Sequence, residues 1–313
     1  MPKVVISEFM DEAAIAAELA GFDTLYDPGL VDRPEALAAA VAEADALIVR
    51  NRTQVRGGLL AAARDLKVGG RLGVGLDNID GAACAARGIA VYPATGANDS
   101  AVAEYVVATA MLLLRGAYGA TASVAAGTWP RNALMGREIG GKRLGLVGFG
   151  AIARETARRA AALGMTIAAH DPFVTPADPA WNPPEGPVRT RDLDALIAES
   201  DVLSLHVPLT DQTRGLIDAA ALARMPRGAI LINAARGGVV DEAAVAASLR
   251  AGHLGGAALD VFDREPLDAE AGARFADAPN LILTPHIAGV TLESNVRVSA
   301  VTARAVRRHL TER

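Results

Sequence analysis

Short β-branched and apolar runs alternate along this chain with longer Ala- and Leu-rich amphipathic stretches. That alternation predicts strand–helix–strand units and parallel sheets rather than hairpins. In the first third, strands are expected at Val4–Ser7, Ala46–Arg50, Leu66–Gly70 and Ile89–Val91, with a helix over Asp11–Ala20 capped by Asp11. A long helix is expected from Ser100 to Gly116. A second series places strands at Arg143–Val147, Thr166–His170, Val202–His206, Ala229–Asn233, Gly256–Leu259 and Leu281–Leu283. A last helix, Glu293–Leu310, lies beyond that series and can return to cover the first. No internal repeat is visible, and the Pro-rich stretch 176–187 reads as a surface loop. The expected fold class is α/β, two doubly wound parallel-sheet domains with a cleft between them. Residues 1–98 plus 290–313 would form a discontinuous domain and 99–289 the other.

Gly148–Phe149–Gly150–Ala151–Ile152–Ala153 has the form G-x-G-x-x-A, directly after one expected strand and at the start of a helix. In that context Gly148 permits a tight turn, Gly150 leaves room for a pyrophosphate, and Ala153 lets the helix approach the sheet. The helix N-terminus offers unpaired N–H groups and partial positive charge to phosphates. The next strand ends at His170 and Asp171, where an acidic side chain would bond ribose hydroxyls and repel a 2′-phosphate. These features predict an NAD site; the plain alternative is an ordinary strand–turn–helix. Both doubly wound domains are expected to be of the Rossmann-like or flavodoxin-like kind, the second carrying the dinucleotide.

Four longer motifs are more specific: 205–210 (LHVPLT), 232–238 (INAARGG), 258–262 (ALDVF) leading to Glu265–Pro266, and 284–289 (TPHIAG). With the loop Gly73–Val74–Gly75–Leu76–Asp77–Asn78–Ile79–Asp80, they strongly resemble the D-2-hydroxyacid dehydrogenase family, which includes the phosphoglycerate dehydrogenases. The resemblance spans nearly the whole chain. It implies a hydride transfer between NAD and C2 of a small hydroxy or keto acid, with Arg236, Glu265 and His286 as catalytic residues. Arg236 would hold the substrate carboxylate through its planar guanidinium. His286 would be the general acid/base, and Glu265 would bond its second ring nitrogen. The resemblance also places His206, Pro208, Thr213, Ala234, Asp260 and Gly289 around the cofactor, with Asp260 near the nicotinamide amide. His206 is expected to line that site rather than carry the proton.

For the substrate, the resemblance implies a nest of Val74 and Gly75 backbone N–H groups for the carboxylate. Arg50, Asn51 and Arg52 would receive a second anion on C3, as in 3-phosphoglycerate or 3-sulfolactate; a solvated turn is the plain alternative. Domain closure about hinges near Ala97–Ala101 and Gly289–Glu293 is expected to exclude water. A single helix follows Gly289, so the short form without a regulatory domain is expected. Rival readings are an NAD-sensing corepressor-type binding module and a phosphite- or glyoxylate-type dehydrogenase. A formate dehydrogenase would pair its His with Gln where this chain has Glu265.

Composition narrows the picture further. Hydrophobic residues make up 51% and charged residues 21% of 313, enough apolar material for two cores. A net charge of −5 with no basic stripe gives no electrostatic reason to bind nucleic acid. The single cysteine, Cys84, cannot form an internal disulfide, and the N-terminus lacks a signal-peptide pattern. No membrane partner and a cytoplasmic location are expected. The family resemblance implies a homodimer, with the helix near Val102–Leu114 and the following arm as the contact.

Overall fold

The computed structural model describes Met1–Glu312 and divides into two compact units, Met1–Asn98 with the segment from Val290, and Asp99–Gly289. The first unit opens with β1 (Lys3–Ile6), α1 (Glu12–Glu18), β2 (Asp23–Tyr26), α2 (Pro34–Val41), β3 (Ala46–Val49), α3 (Gly57–Ala62), β4 (Val68–Arg71), α4 (Gly81–Ala86) and β5 (Ala90–Pro93). The second holds α5 (Asp99–Arg115), α6 (Thr121–Ala125), β6 (Arg143–Val147), α7 (Ala151–Ala162), β7 (Thr166–His170), β8 (Arg189–Thr190) and α8 (Leu193–Glu199). It continues through β9 (Val202–Leu205), α9 (Ala219–Arg224), β10 (Ile230–Asn233), α10 (Glu242–Arg250), β11 (Gly256–Leu259), α11 (Ala269–Gly272) and β12 (Leu281–Leu283). Helix α12 (Leu292–Thr311) returns to the first unit.

All strand pairs are parallel. The first sheet runs β2-β1-β3-β4-β5, the flavodoxin-like order. Both faces are covered, which explains its continuous apolar strands. Val5, Leu47 and Val49 pack against Leu37, Val41, Leu60 and the buried thiol of Cys84. Val4, Ile6 and Ile48 face the other way, onto Met10, Val298 and Val306. Helix α12 lies directly on β4: a Cβ at Gly70 would sit 2.7 Å from a Thr302 methyl.

The second sheet runs β12-β11-β10-β9-β6-β7-β8. Counted from β6, this is the Rossmann order with one further strand, and its direction reverses between β6 and β9. Leu144, Leu146, Ile167 and Ile232 pack against Val102 and Val106 of α5 and Ala153, Ala157 and Ala160 of α7. The opposite face meets α8, α9 and α10 through Leu196, Leu222, Val245 and Leu249.

Two strands escape the sequence pattern. β2 is an edge strand whose residues alternate between exposed and half-buried, so it lacks an apolar run. β8 is two exposed residues at the opposite edge of the second sheet. The 176–187 stretch also departs from a plain surface loop. Trp181 is 5% exposed and stacks on Phe149 of the glycine turn, with ring centroids 4.7 Å apart. Among the described residues, no single helix is long and apolar enough to cross a membrane.

Candidate active site

In open α/β sheets, ligands meet the C-terminal ends of strands where the strand order reverses. Here those ends are Val147 of β6 and Leu205 of β9, followed by Gly148 and His206. Gly148 has φ +88°, and a Cβ there would lie 2.5 Å from the His206 carbonyl oxygen. No larger residue fits that turn without moving β9. Gly150 is the N-cap of α7 and gives it no side-chain cap, whereas Asp192, Asp218 and Asp241 cap α8, α9 and α10. The α7 terminus therefore keeps its N–H groups for an external anion. A Cβ on Gly150 would meet nothing within 4 Å, so the space above the terminus is open. Ala151 is exposed, Ile152 half-buried, and Ala153 fully buried against the sheet.

Asp171 closes this cradle. Its Oδ2 accepts from Phe149 N at 2.7 Å and its Oδ1 from Phe173 N at 2.8 Å. One carboxylate has about four acceptor positions, so both oxygens can also take ribose hydroxyls. The residues fit a dinucleotide: a glycine turn, an uncapped helix end and an anchored acceptor at the next strand end. On the β9 side, His206 Nε2 meets Ser204 Oγ at 3.0 Å, and burial pulls its imidazole pKa down to about 4. A ring that stays neutral at working pH lines a site well and carries protons poorly. Thr213 Oγ1 donates to Pro208 O at 2.6 Å and pins the loop between them.

The chemistry-bearing side chains follow β10, β11 and β12. Asn233 ends β10 and braces the next turn: its Nδ2 donates to Arg236 O at 2.9 Å, and its Oδ1 accepts from Ala235 N at 3.1 Å. Ala234 and Arg236 are half-buried in that turn. At Gly237 a Cβ would fall inside the Phe262 carbonyl, so the Arg236 turn and the chain after β11 approach through backbone alone. His286 Nδ1 lies 2.7 Å from Glu265 Oε2, and Glu265 Oε1 accepts from Phe262 N at 3.0 Å. Burial opposes ionisation of Glu265. The hydrogen bond and charge of His286, the Phe262 N–H and nearby Arg236 outweigh it and hold the carboxyl below the usual range.

His286 itself has φ +57°, a left-handed conformation that few non-glycine residues adopt. Asp260, 1% exposed, grips its turn. His286 N donates to Asp260 O, and Ile287 N and Ala288 N donate to the two carboxylate oxygens, each at 2.8 Å. The resemblance assigned Asp260 to the nicotinamide amide; the geometry gives it this second task, which no motif spacing shows. Gly289 ends the turn and the unit.

In the first unit, buried Glu8 organises the loop after β3. Its carboxylate accepts from Arg50 N, Arg52 N and Thr53 N at 2.9, 3.1 and 3.0 Å. Nothing in the sequence marks Glu8; its 4% exposure does. The two guanidinium groups take different partners. Arg50 donates to Asn295 Oδ1 at 2.6 Å and lies over the Phe9 ring, while Arg52 pairs with Asp32. Asn51 is exposed. Val74 and Gly75 lie half-buried in the loop after β4, and their N–H groups have no partner among the described residues.

A sheet of this order, with an anion-ready helix end at its reversal and an imidazole–carboxylate pair at its strand ends, defines a dinucleotide-dependent oxidoreductase. Residues 107–288 match the D-isomer specific 2-hydroxyacid dehydrogenase, NAD binding domain. The chain is 56% identical over 310 residues to the (S)-sulfolactate dehydrogenase of Chromohalobacter salexigens, covering 99% of each. It is 40% identical over 309 residues to the D-3-phosphoglycerate dehydrogenase of Mycobacterium bovis, covering 98% of this chain and 56% of that one. A D-lactate dehydrogenase from Aquifex aeolicus, solved with NAD and lactic acid, matches with TM-score 0.84 at 26% identity, covering 99% and 96%. The chain belongs to the D-isomer specific 2-hydroxyacid dehydrogenase family. It is an NAD-dependent oxidoreductase acting on the CH–OH group of 2-hydroxy acids.

Proposed function

We propose that this enzyme interconverts 3-sulfolactate and its 2-keto acid, with (S)-sulfolactate as the hydroxy acid. The observation that carries this is the 56% identity to a (S)-sulfolactate dehydrogenase across 99% of both chains. The descriptor S is compatible with a D-specific family. In lactate the carboxylate outranks the methyl group; a sulfonate makes C3 outrank the carboxylate. (S)-Sulfolactate therefore has the spatial arrangement of D-lactate.

In this reading Arg236 and the Val74 and Gly75 N–H groups hold the substrate carboxylate, and Arg52 meets the C3 sulfonate after leaving Asp32. Glu265, held ionised, accepts the Nδ1 proton of His286, so Nε2 is the nitrogen left to face the 2-hydroxyl. During oxidation Nε2 takes the hydroxyl proton as the C2–O bond becomes a carbonyl; during reduction it returns that proton. When bound, the nicotinamide supplies the acceptor for the C2 hydrogen and its electron pair. Gly148, Gly150, Ala151 and Ile152 cradle the pyrophosphate, and Asp171 takes the adenosine ribose. His206, Pro208, Thr213, Ala234, Asp260 and Gly289 complete the cofactor side.

We further place the enzyme in the cytoplasm as a homodimer. Exposed Tyr118, Val124, Trp129 and Met135 after α5 support a subunit contact, and the lone thiol of Cys84 suits a reducing compartment. Light scattering should give twice the chain mass.

Steady-state turnover with NAD on (S)-3-sulfolactate, D-3-phosphoglycerate, D-glycerate and D-lactate tests the substrate. Sulfolactate should show the highest kcat/KM. Arg52→Glu should lower that value about ten- to hundredfold, the worth of one charge-assisted hydrogen bond. Lactate turnover should barely change. Equal losses on both substrates would remove Arg52 from the sulfonate site.

A further inference from the structure

The grip of Asp260 on the His286 turn is itself held from a distant helix. Thr284 Oγ1 lies 2.6 Å from Asp260 Oδ1, and the Tyr105 hydroxyl lies 2.7 Å from the same Thr284 oxygen. The direction of this chain follows from its end. The Asp260 carboxylate already accepts two backbone N–H groups and has no hydrogen to give, so Thr284 donates to it. The one hydroxyl proton of Thr284 is then committed, and Tyr105 must donate to Thr284. Burial first, and the Asp260 charge after it, push the phenol pKa up to about 12 against the pull of Thr284, so the donor proton stays in place. The Tyr105 ring packs against the α5–sheet core.

We propose that Tyr105 is a positioning residue for His286: it fixes the Thr284 hydroxyl, keeps the Asp260 carboxylate turned toward the Ile287 and Ala288 N–H groups, and so holds the imidazole at Glu265. The need for such a brace is local. His286 occupies a left-handed conformation that its own backbone does not favour, and the turn stays there because three successive N–H groups are bound to one residue. A carboxylate free to rotate would release two of them. This proposal rests on His286 as the acid/base.

The experiment uses the whole enzyme with NAD and (S)-3-sulfolactate, D-lactate alongside, and compares Tyr105→Phe, Thr284→Val, the double variant, Thr284→Ser and His286→Gln. Tyr105→Phe keeps the ring and removes only the donor. It should lower kcat about tenfold or more, as small misplacements of a reacting group do. KM for the hydroxy acid should stay within about twofold, because the substrate carboxylate is held by Arg236 and ground-state binding does not use the imidazole's alignment. Thr284→Ser keeps both hydrogen bonds and should retain most of kcat. The double variant should be no slower than Thr284→Val, since both changes break one chain. An unchanged kcat in Tyr105→Phe, or multiplying losses in the double variant, overturns the proposal. If Tyr105→Phe folds poorly, Thr284→Val carries the same test from the other end of the bond, and an unchanged kcat there overturns it equally. His286→Gln separates the two readings. Retained turnover in that variant removes the acid/base assignment; its loss beside a fully active Tyr105→Phe removes only the brace.

Discussion

Glu265 and His206 show how one unit sets opposite protonation preferences. Burial acts against the charged form of both. At His206 nothing compensates, and the ring is neutral well below neutral pH. At Glu265 the partners win, and the carboxylate persists below its ordinary 4.5. Because the folded pKa of Glu265 lies below the unfolded one, its ionised form stabilises the fold above about pH 4.5 and loses that effect as pH falls through the lower folded value. Glu265→Gln should therefore melt below the wild type at pH 7, and the two curves should converge as the buffer is taken below pH 4.5. A gap that stays constant through that range would mean the charge contributes nothing. Activity should fall in the same variant at every pH, because Gln cannot stabilise the imidazolium.

At the scale of elements, the β6 turn and α7 separate two glycines that the sequence presents alike. Gly148 is structural: its positive φ and the His206 carbonyl leave no room for a side chain. Gly150 is spatially free, with φ −75°. Gly148→Ala should lower the melting temperature markedly, by strain of about 1–3 kcal/mol plus the clash. Gly150→Val should leave the melting temperature of the ligand-free enzyme nearly unchanged yet raise the KM for NAD at least tenfold. An unaltered KM would move the dinucleotide off this terminus. The periodic pattern made β6, α7 and most strands legible, because strands buried on both faces carry long apolar runs. β2 and β8 were not, being edge strands with half-exposed or polar residues. Arg236, Glu265 and His286 stood out through ordered motifs. The supports behind them did not: Tyr105 meets Thr284 across 179 positions and Glu8 meets Arg50 across 42, and no local spacing encodes such pairs.

At the scale of the molecule, the chain leaves the first unit after Asn98 and re-enters it at Val290. The second unit is continuous, and its sheet needs no residue beyond Gly289. The first is not: Val298, Ala303 and Val306 of α12 complete the face formed by Val4, Ile6 and Ile48. On a ribosome this imposes a schedule. The middle of the chain can reach its native packing while the earlier segment waits, one face of its sheet bare, for the final turns of helix to emerge. A nascent chain arrested shortly after Gly289 has cleared the exit tunnel should show residues 99–289 resisting limited proteolysis while 1–98 is cut freely; equal resistance would mean α12 is dispensable. The waiting segment is thus where chaperone occupancy should concentrate during synthesis, although it is made before the unit that packs first.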